Sequence, residues 1–371
     1  MNSFLDTLTQ VENSGVLSLL ENTDPEKVRP LIGRTRLSDA DLALLLSKGA
    51  TPLLEEMAQQ ARRITQARFG NAVSLYAPLY VSNRCGGSCP YCGFKRTQKI
   101  KRRTLTIDEV EAEGEVLSRS GIQHVLLVTG DCPGKGVDFL CESARRLKKR
   151  FPSVTVEIPP LEENDYRALA ESGVDGVTLY QETYHRALYD ALHKGSPKDN
   201  YLYRLDALSR AGRAGMRKLN LGVLWGLSDW RQDALKLALH ARSLEKAHWR
   251  SQILLGMPRL HNVPDDFTIP CAVGDRDFVH IIVAMRIFLH DAGIVVSTRE
   301  KSEFRDNLLA IGATQFSAGS KTEPGGYSAA EKQSGAQFEI DDQRSPKTVE
   351  ADLARLGYDP VFKDWDRGFI S

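Results

Sequence analysis

The sequence lacks a charge excess of either sign. Its 371 residues include 49 Lys and Arg against 48 Asp and Glu, which gives a formal net charge of +1. A dedicated nucleic-acid-binding protein usually carries a basic excess. The balance therefore argues against nucleic acid as a partner and is compatible with a small-molecule enzyme.

Long apolar runs are also missing. No stretch reaches the roughly 18 apolar residues that a transmembrane helix needs. The N-terminal segment MNSFLDTLTQVENSG has no basic part followed by an apolar run, so it does not have the pattern of a secretory signal. We expect neither a membrane span nor export.

Cysteine is scarce, with six in the chain, and three of these share one short segment. The other three, Cys132, Cys141 and Cys271, are scattered. A secreted disulfide framework would place more cysteines in a shorter chain. A cytoplasmic, reducing location is therefore expected.

The pattern of apolar residues predicts the fold class. Residues 1–75 have helical spacing, with one helix in DADLALLLSKG ending at Gly49 and another that runs from Thr51 and Pro52 to Gly70. Eight β-rich runs follow, with helix-like segments between most of them: LYVSN (79–83), HVLLVT (124–129), VTVEI (154–158), GVTLYQ (176–181), KLNLGVL (218–224), SQILLG (251–256), IVVST (294–298) and TQFSAG (314–319). Apolar strands alternating with helices indicate a parallel sheet covered by helices.

Eight such units in about 240 residues match a (β/α)8 TIM-type barrel, and a doubly wound open sheet is the second possibility. We predict an N-terminal helical extension over 1–75, the barrel over 76–320 and a C-terminal extension over 321–371 that packs on the barrel. Residues 320–345 are polar and contain a Pro-Gly-Gly turn, which indicates a loop with a possible functional role.

The segment SNRCGGSCPYCGF carries the strongest chemical signal. Cys85, Cys89 and Cys92 follow the first barrel strand at its C-terminal end, where barrel active sites are built. Three thiolates on one loop can bind three irons of a [4Fe–4S] cubane and leave the fourth iron open. A structural zinc site usually has two spaced pairs of ligands, and no second pair is evident here. Three buried, unreactive cysteines are the other alternative.

The C-x-x-x-C-x-aromatic-C spacing, with Tyr91 as the aromatic residue, resembles the signature of the radical S-adenosylmethionine (SAM) enzymes. The segments VTGD, YQETYH, MPRL, STREKSEFRD, AGSKTEPGGY and KDWD, in this order, are similar to the aromatic amino-acid lyases of that superfamily, and most similar to the 2-iminoacetate synthase family. The resemblance implies a [4Fe–4S] cluster and SAM as cofactors. It also implies cleavage of the Cα–Cβ bond of L-tyrosine to 2-iminoacetate and p-cresol, with 5′-deoxyadenosine and methionine, for thiamine thiazole biosynthesis. Tryptophan or another aromatic amino acid is the alternative substrate.

The resemblance also assigns residues to the substrate. Arg299 follows the seventh strand, where a guanidinium can bind an amino-acid carboxylate through two parallel hydrogen bonds. A salt bridge to Glu300 or Glu303 is the alternative. Ser297 lies beside it, and Ser320 follows the eighth strand and is expected to orient the substrate.

A second group is expected to bind SAM. The resemblance places Gly130 and Asp131 at the SAM amino group and Arg204 at its carboxylate. Glu182, at the end of the fourth strand, can accept hydrogen bonds from a ribose or an ammonium, and Tyr91 is expected near the adenine or the cluster. A solvated helix arginine is the alternative for Arg204.

Partners follow partly from charge and partly from resemblance. The basic run KRTQKIKRR (95–103) is usual for a solvated surface, and it would also suit docking of a reduced flavodoxin or ferredoxin-type electron donor. Family resemblance further suggests a complex with thiazole synthase, which would consume the unstable imine.

Overall fold

The barrel is closed by parallel strands. The computed structural model describes residues 4–131, 136–328 and 334–362. Strand β1 pairs with both β2 and β8, and every intermediate neighbour is also parallel. The strands are β1 (Ala72–Ser82), β2 (His124–Thr129), β3 (Ser153–Glu157), β4 (Gly176–Glu182), β5 (Lys218–Val223), β6 (Gln252–Gly256), β7 (Gly293–Val296), β8 (Gln315–Ser317) and β9 (Asp359–Val361). Closure confirms the predicted (β/α)8 barrel, so the open-sheet alternative is wrong.

Helices surround the barrel and form the N-terminal part. They are α1 (Phe4–Asn13), α2 (Asp39–Leu45), α3 (Leu54–Phe69), α4 (Ile107–Arg119), α5 (Val137–Lys148), α6 (Glu163–Glu171), α7 (Arg186–His193), α8 (Tyr201–Leu205), α9 (Ala207–Arg213), α10 (Trp230–Ala247), α11 (Asp275–Phe288), α12 (Ser302–Leu309) and α13 (Pro346–Arg355). None of the helices that the structure describes is long and apolar enough to cross a membrane.

The N-terminal helices differ in their bounds from the prediction. Helix α2 ends at Leu45 and not at Gly49, whose N–H donates to the carbonyl of Asn22 at 2.7 Å. This contact accompanies short 3-10 turns over residues 48–53. Helix α3 therefore begins at Leu54, three residues after the predicted cap Thr51, and ends at Phe69 with Gly70 as its C-cap, as expected.

Strand β1 begins seven residues before the predicted strand, because its first residues have partners from the end of the chain. Ala72–Ser74 pairs with β9, and Ser74–Tyr76 pairs with β8. The predicted C-terminal extension contains the helix α13 and the strand β9. The division into parts at residues 75 and 320 stays a prediction, and the KDWD segment lies outside the described residues.

Buried ion pairs fix the segment after β8 to the barrel. Arg305 of α12 is fully buried, and its guanidinium contacts Asp342 and the carbonyl of Ser317. Arg344 bridges Asp306 and Asp342 with distances of 2.9 and 2.7 Å. These contacts hold Asp342 and Arg344 against α12 and the end of β8.

Candidate active site

The three clustered cysteines lie on the loop that leaves β1 at its C-terminal end. Cys89 is buried, and Cys85 and Cys92 are half-buried. Backbone N–H groups point at two of the sulfurs, from Gly87 to Cys85 Sγ at 3.3 Å and from Phe94 to Cys92 Sγ at 3.4 Å. The loop thus turns its thiols and its amide donors toward the same cavity.

Gly130 directly follows β2 and packs against the loop that carries the cysteines. A Cβ at this position would lie 2.6 Å from the carbonyl oxygen of Arg84 and 3.2 Å from Cys85 Cβ. The next residue continues the contact, because the Asp131 carbonyl accepts the N–H of Gly86 at 2.8 Å. Only glycine permits so close an approach between β2 and the cysteine loop.

Gly130→Ala is therefore expected to displace the loop and to reduce bound iron several-fold after anaerobic reconstitution. Gly136→Ala is the matched control, because a Cβ there meets nothing within 4 Å. Iron and sulfide analysis of both variants provides the measurement. Equal iron in the two variants would contradict this account of the loop.

A charged network lies across the cavity from the thiols. Glu182 accepts from Lys198 Nζ at 2.7 Å and from Arg204 Nη2 at 3.2 Å, and Arg204 Nε also donates to the carbonyl of Tyr180 at 2.7 Å. Burial favours the neutral carboxyl, but the two cations outweigh it and lower the pKa of Glu182 to about 2. Arg204 is 6% exposed, so the solvated-arginine alternative is wrong.

Glu182 is one of two described non-glycine residues with a positive φ, at 69°. Such a conformation costs about 1–3 kcal/mol and is kept where the surroundings fix it. Glu182 is the last residue of β4, and Lys198 and Arg204 hold its carboxylate in place. The result is a buried anion fixed at the edge of the cavity.

Two polar groups in the cavity have no hydrogen-bond partner among the described residues. They are Asp131 Oδ2 and Ser320 Oγ, both fully buried atoms. Burial raises the pKa of Asp131, while Lys198 and Arg204 oppose this effect. Unpartnered buried polar atoms are costly, and a bound polar ligand would satisfy both.

Arg299 lies on the other side of the cavity, after β7. Its guanidinium carbon lies 3.5 Å from the ring centre of Phe338, and no described carboxylate lies within ion-pair distance of it. The alternative of a salt bridge to Glu300 is wrong, because Glu300 contacts Arg259 and His261. Arg299 thus presents its donors to the cavity.

The remaining predicted positions surround Arg299. Ser297 Oγ accepts the N–H of Arg299 at 3.4 Å. Ser297, Arg299 and Ser320 line one chamber, which shares Arg299 with the larger cavity that contains the three cysteines. All eleven predicted site residues therefore line one or both of these two neighbouring cavities.

Glu157, like Arg299, lines both cavities. It is the last residue of β3, and its neighbour Val156 is buried against the helices, so Glu157 points into the barrel. Burial raises the pKa of Glu157 to about 7, although the positive charge of Arg299 opposes the shift. This value allows the carboxyl to exchange a proton near neutral pH.

Comparisons with known proteins agree with this geometry. The model of the Radical SAM superfamily matches residues 79–238, and that of the Biotin and Thiamin Synthesis associated domain matches residues 256–359. The chain is 38% identical to the 2-iminoacetate synthase of Salmonella typhimurium over 99% of its length and 97% of that protein. It is 37% identical to the 2-iminoacetate synthase of Escherichia coli with the same coverage.

The chain belongs to the 2-iminoacetate synthase family of radical SAM enzymes. Among solved structures, it is similar to HydG, a maturase of the [FeFe]-hydrogenase, with a TM-score of 0.84 and 31% identity over 97% of this chain and 79% of that one. HydG from Carboxydothermus hydrogenoformans gives a TM-score of 0.89 with 29% identity, over 98% and 86%. Methylornithine synthase, at 22% identity and a TM-score of 0.70, shares the fold.

This radical SAM enzyme is a carbon–carbon lyase that uses a [4Fe–4S] cluster and SAM. The residues present fit both groups. Three thiols stand on one loop with N–H donors beside them, as a cubane with one open iron requires. The unpartnered Asp131 oxygen and the buried Glu182 carboxylate are suited to the cationic and hydroxyl groups of SAM.

Tyr91 of the signature is half-buried, and its hydroxyl contacts α7. Its hydroxyl lies 2.7 Å from Nε2 of His193. The other ring nitrogen of His193, Nδ1, lies 2.8 Å from the carbonyl oxygen of Tyr189. The imidazole therefore links α7 to the cysteine loop. No role was predicted for His193 from the sequence.

The basic run 95–103 is only partly a solvated surface. Lys95 is 5% exposed and pairs with Asp266, while Arg102 donates to the carbonyls of Asn83 and Phe94. For these residues the solvated interpretation is wrong, because they hold the cysteine loop. Arg96, Lys99 and Lys101 are exposed.

Several residues that line the cavity were not predicted from the sequence. Lys198 lies in an irregular segment after α7, and Glu157 ends a strand that otherwise looks apolar. Gln337 and Phe338 come from the long polar loop, for which only a general functional role was expected. A charged last residue on a buried parallel strand was the one signal available, and it would have identified Glu157.

Proposed function

We propose that this enzyme cleaves the Cα–Cβ bond of L-tyrosine to 2-iminoacetate and p-cresol and serves thiamine thiazole biosynthesis. The observation that carries the proposal is Arg299, a guanidinium without a carboxylate partner among the described residues, which lines both the cysteine cavity and the neighbouring chamber. The relatives from Salmonella typhimurium and Escherichia coli are 2-iminoacetate synthases, which supports the same product.

In this proposal, Cys85, Cys89 and Cys92 hold the cluster. Asp131 and the backbone of Gly130 receive the SAM amino group. When bound, the two cofactors supply a carbon radical that abstracts a hydrogen atom from the substrate. The protein residues bind and orient both molecules and exclude water.

The remaining SAM contacts are assigned to the charged network. Arg204 is placed at the SAM carboxylate and Glu182 at a ribose or ammonium group, with Tyr91 close to the adenine. Arg204 and Glu182 already contact each other at 3.2 Å, so their charges are held in place before SAM binds. Preorganised charges of this kind lose little free energy to reorganisation on binding.

The substrate carboxylate is assigned to Arg299, whose planar donors match it. Ser297 supports the Arg299 backbone, and Ser320 offers a buried hydroxyl that has no hydrogen-bond partner among the described residues. Glu157 faces the same chamber. Its carboxylate would accept a proton from the substrate ammonium, so that the neutral amine is presented for hydrogen abstraction.

Substrate choice is tested by anaerobic turnover of the reconstituted enzyme with SAM and dithionite. L-Tyrosine and L-tryptophan are supplied in parallel, and products are separated by chromatography. We expect p-cresol and 5′-deoxyadenosine with tyrosine alone. An aromatic product from tryptophan, without p-cresol from tyrosine, would move the enzyme to the alternative substrate and remove the thiamine assignment.

Two protein partners belong to this proposal. Thiazole synthase would consume the unstable imine. A reduced flavodoxin or ferredoxin-type protein would supply the electron at the exposed cations Arg96, Lys99 and Lys101. Arg96 is next to the cysteines, because its N–H donates to the Gly87 carbonyl at 2.8 Å. Acidic electron carriers are attracted to such a surface.

The double variant Lys99→Glu/Lys101→Glu is therefore expected to lower turnover with reduced flavodoxin by about tenfold or more at low salt, since steering charges raise association rates by ~10–10³. Turnover with dithionite should stay at the parent rate. Lys149→Glu, an exposed lysine on the outer helices, is the control. Equal losses with both reductants would point to damage of the cysteine loop and not to docking.

A further inference from the structure

Gln337 brings a side-chain amide to one of the cysteine sulfurs. Its Nε2 lies 3.9 Å from Cys92 Sγ, and its Oε1 accepts the hydroxyl of Tyr80 at 2.6 Å. The residue comes from the segment after β8, far in sequence from the cysteines. Its own backbone is fixed, because its carbonyl accepts the N–H of Gly93 at 3.2 Å.

The amide orientation follows from its neighbours. The two ends of a Gln amide are assigned from the hydrogen-bond network. A thiolate that binds the cluster has no hydrogen and can only accept, so it favours the NH2 end, while the Tyr80 hydroxyl donates to Oε1. The nitrogen is then the end that faces Cys92. The ring of Tyr80 is itself held by an edge contact with Phe94 at 5.8 Å between centroids.

The backbone of Gln337 lies directly against the cysteine loop. A Cβ at Gly93 would lie 2.3 Å from the Gln337 carbonyl oxygen, so the two backbones touch. Cys92 Sγ already receives the N–H of Phe94 at 3.4 Å. Gln337 would therefore add a second N–H to the same sulfur.

We propose that Gln337 is a positioning residue that raises the reduction potential of the cluster through its N–H donor to Cys92. Reduction adds an electron whose charge spreads onto the ligand sulfurs, and a donor beside a sulfur stabilises that added charge. The role deepens the activity proposed above and acts before any substrate chemistry.

The neighbouring residue connects this donor to the substrate position. Phe338 lies against the Arg299 guanidinium at 3.5 Å, and Gln337 directly precedes it in the chain. A carboxylate that binds Arg299 must share the guanidinium with this ring. Substrate binding is thereby expected to change the Gln337 contact and the potential of the cluster.

The test is an anaerobic redox titration of the reconstituted enzyme, with the cluster followed by electron paramagnetic resonance. Gln337→Met keeps the length of the side chain and removes the donor, so we expect a more negative midpoint potential than in the parent. Gln343→Met makes the same change at an exposed position of the same segment and should keep the parent potential. Iron analysis shows that all clusters are complete.

A parent-like potential in Gln337→Met with full iron overturns the proposal. If that variant does not take up the cluster, Tyr80→Phe decides, because it removes only the hydroxyl that orients the amide and keeps the ring contact with Phe94. A smaller shift in the same direction is expected there, and an unchanged potential overturns the proposal.

The substrate-dependent part has its own outcome. L-Tyrosine should shift the midpoint potential of the parent and leave that of Phe338→Leu unchanged. If tyrosine shifts neither enzyme while Gln337→Met still differs from the parent, the tyrosine assignment and the coupling fail and the role of Gln337 stands.

Discussion

Replacing Arg299 with methionine is expected to lower kcat/KM for L-tyrosine by about two to three orders of magnitude. Loss of one partner from a buried ion pair costs about 3–5 kcal/mol, and each ~1.4 kcal/mol corresponds to a factor of ten in rate. The effect should be this large because the described residues offer the substrate carboxylate no second unpaired cation in that chamber. Arg299→Lys, which keeps the charge and loses the planar fork, should fall between the parent and Arg299→Met.

The measurement is p-cresol formation over a range of tyrosine concentrations. Lys301→Met, an exposed position two residues along the same segment, is the matched control and should behave as the parent does. Iron content should be equal in all variants. Parent-like tyrosine kinetics in Arg299→Met would remove the carboxylate assignment.

Replacing Glu157 with glutamine is expected to lower kcat for tyrosine by about 10²–10⁴-fold, the usual contribution of a positioned proton acceptor. The amide has nearly the same shape and cannot take the ammonium proton. In the parent, the acceptor must be ionised, and burial raises the pKa of Glu157 to about 7. Turnover should therefore fall as the pH decreases below about 7.

Neighbouring charges set the form of this pH profile. Arg299, Lys198 and Arg204 favour the ionised carboxylate of Glu157, while the negative charge of Glu182 opposes it. In Glu157→Gln the decrease on the acidic side should disappear from the residual activity. Glu162→Gln, at an exposed position nearby, is the control.

An unchanged acidic limb in Glu157→Gln would show that another group titrates there. If activity is also lower than in the parent, Glu157 would have a role in orienting the substrate and not in accepting its proton. The Arg299 assignment would stay intact, because the two variants remove different contacts.

The barrel could be predicted because each strand carries its own signal. Strand β2 was predicted with its observed bounds, since all of its residues but the last are buried and the flanking segments are polar. Strand β1 was predicted too short. Its first residues are strand because β9, from the other end of the chain, pairs with them, and no local pattern contains that information.

The site residues likewise divide into those with a local sequence pattern and those placed by long-range contacts. The cysteines and Arg299 were predictable because a short motif or a strand end places them at the barrel mouth. Lys198, Gln337 and Phe338 were missed, because irregular segments reach the cavity only through long-range contacts. Among these contacts are the buried pair of Arg305 with Asp342 and the backbone bond from Gly93 to Gln337.

The most direct measurement is turnover in deuterium oxide with L-tyrosine, SAM and dithionite, followed by mass analysis of the 5′-deoxyadenosine and quantification of p-cresol. An amine held at Glu157 and Arg299 exchanges its hydrogens with the solvent before abstraction. We predict p-cresol and 5′-deoxyadenosine in equal amounts, with one deuterium in each 5′-deoxyadenosine. Unlabelled 5′-deoxyadenosine without p-cresol would contradict the account, because hydrogen would then come from a position other than the amine of tyrosine.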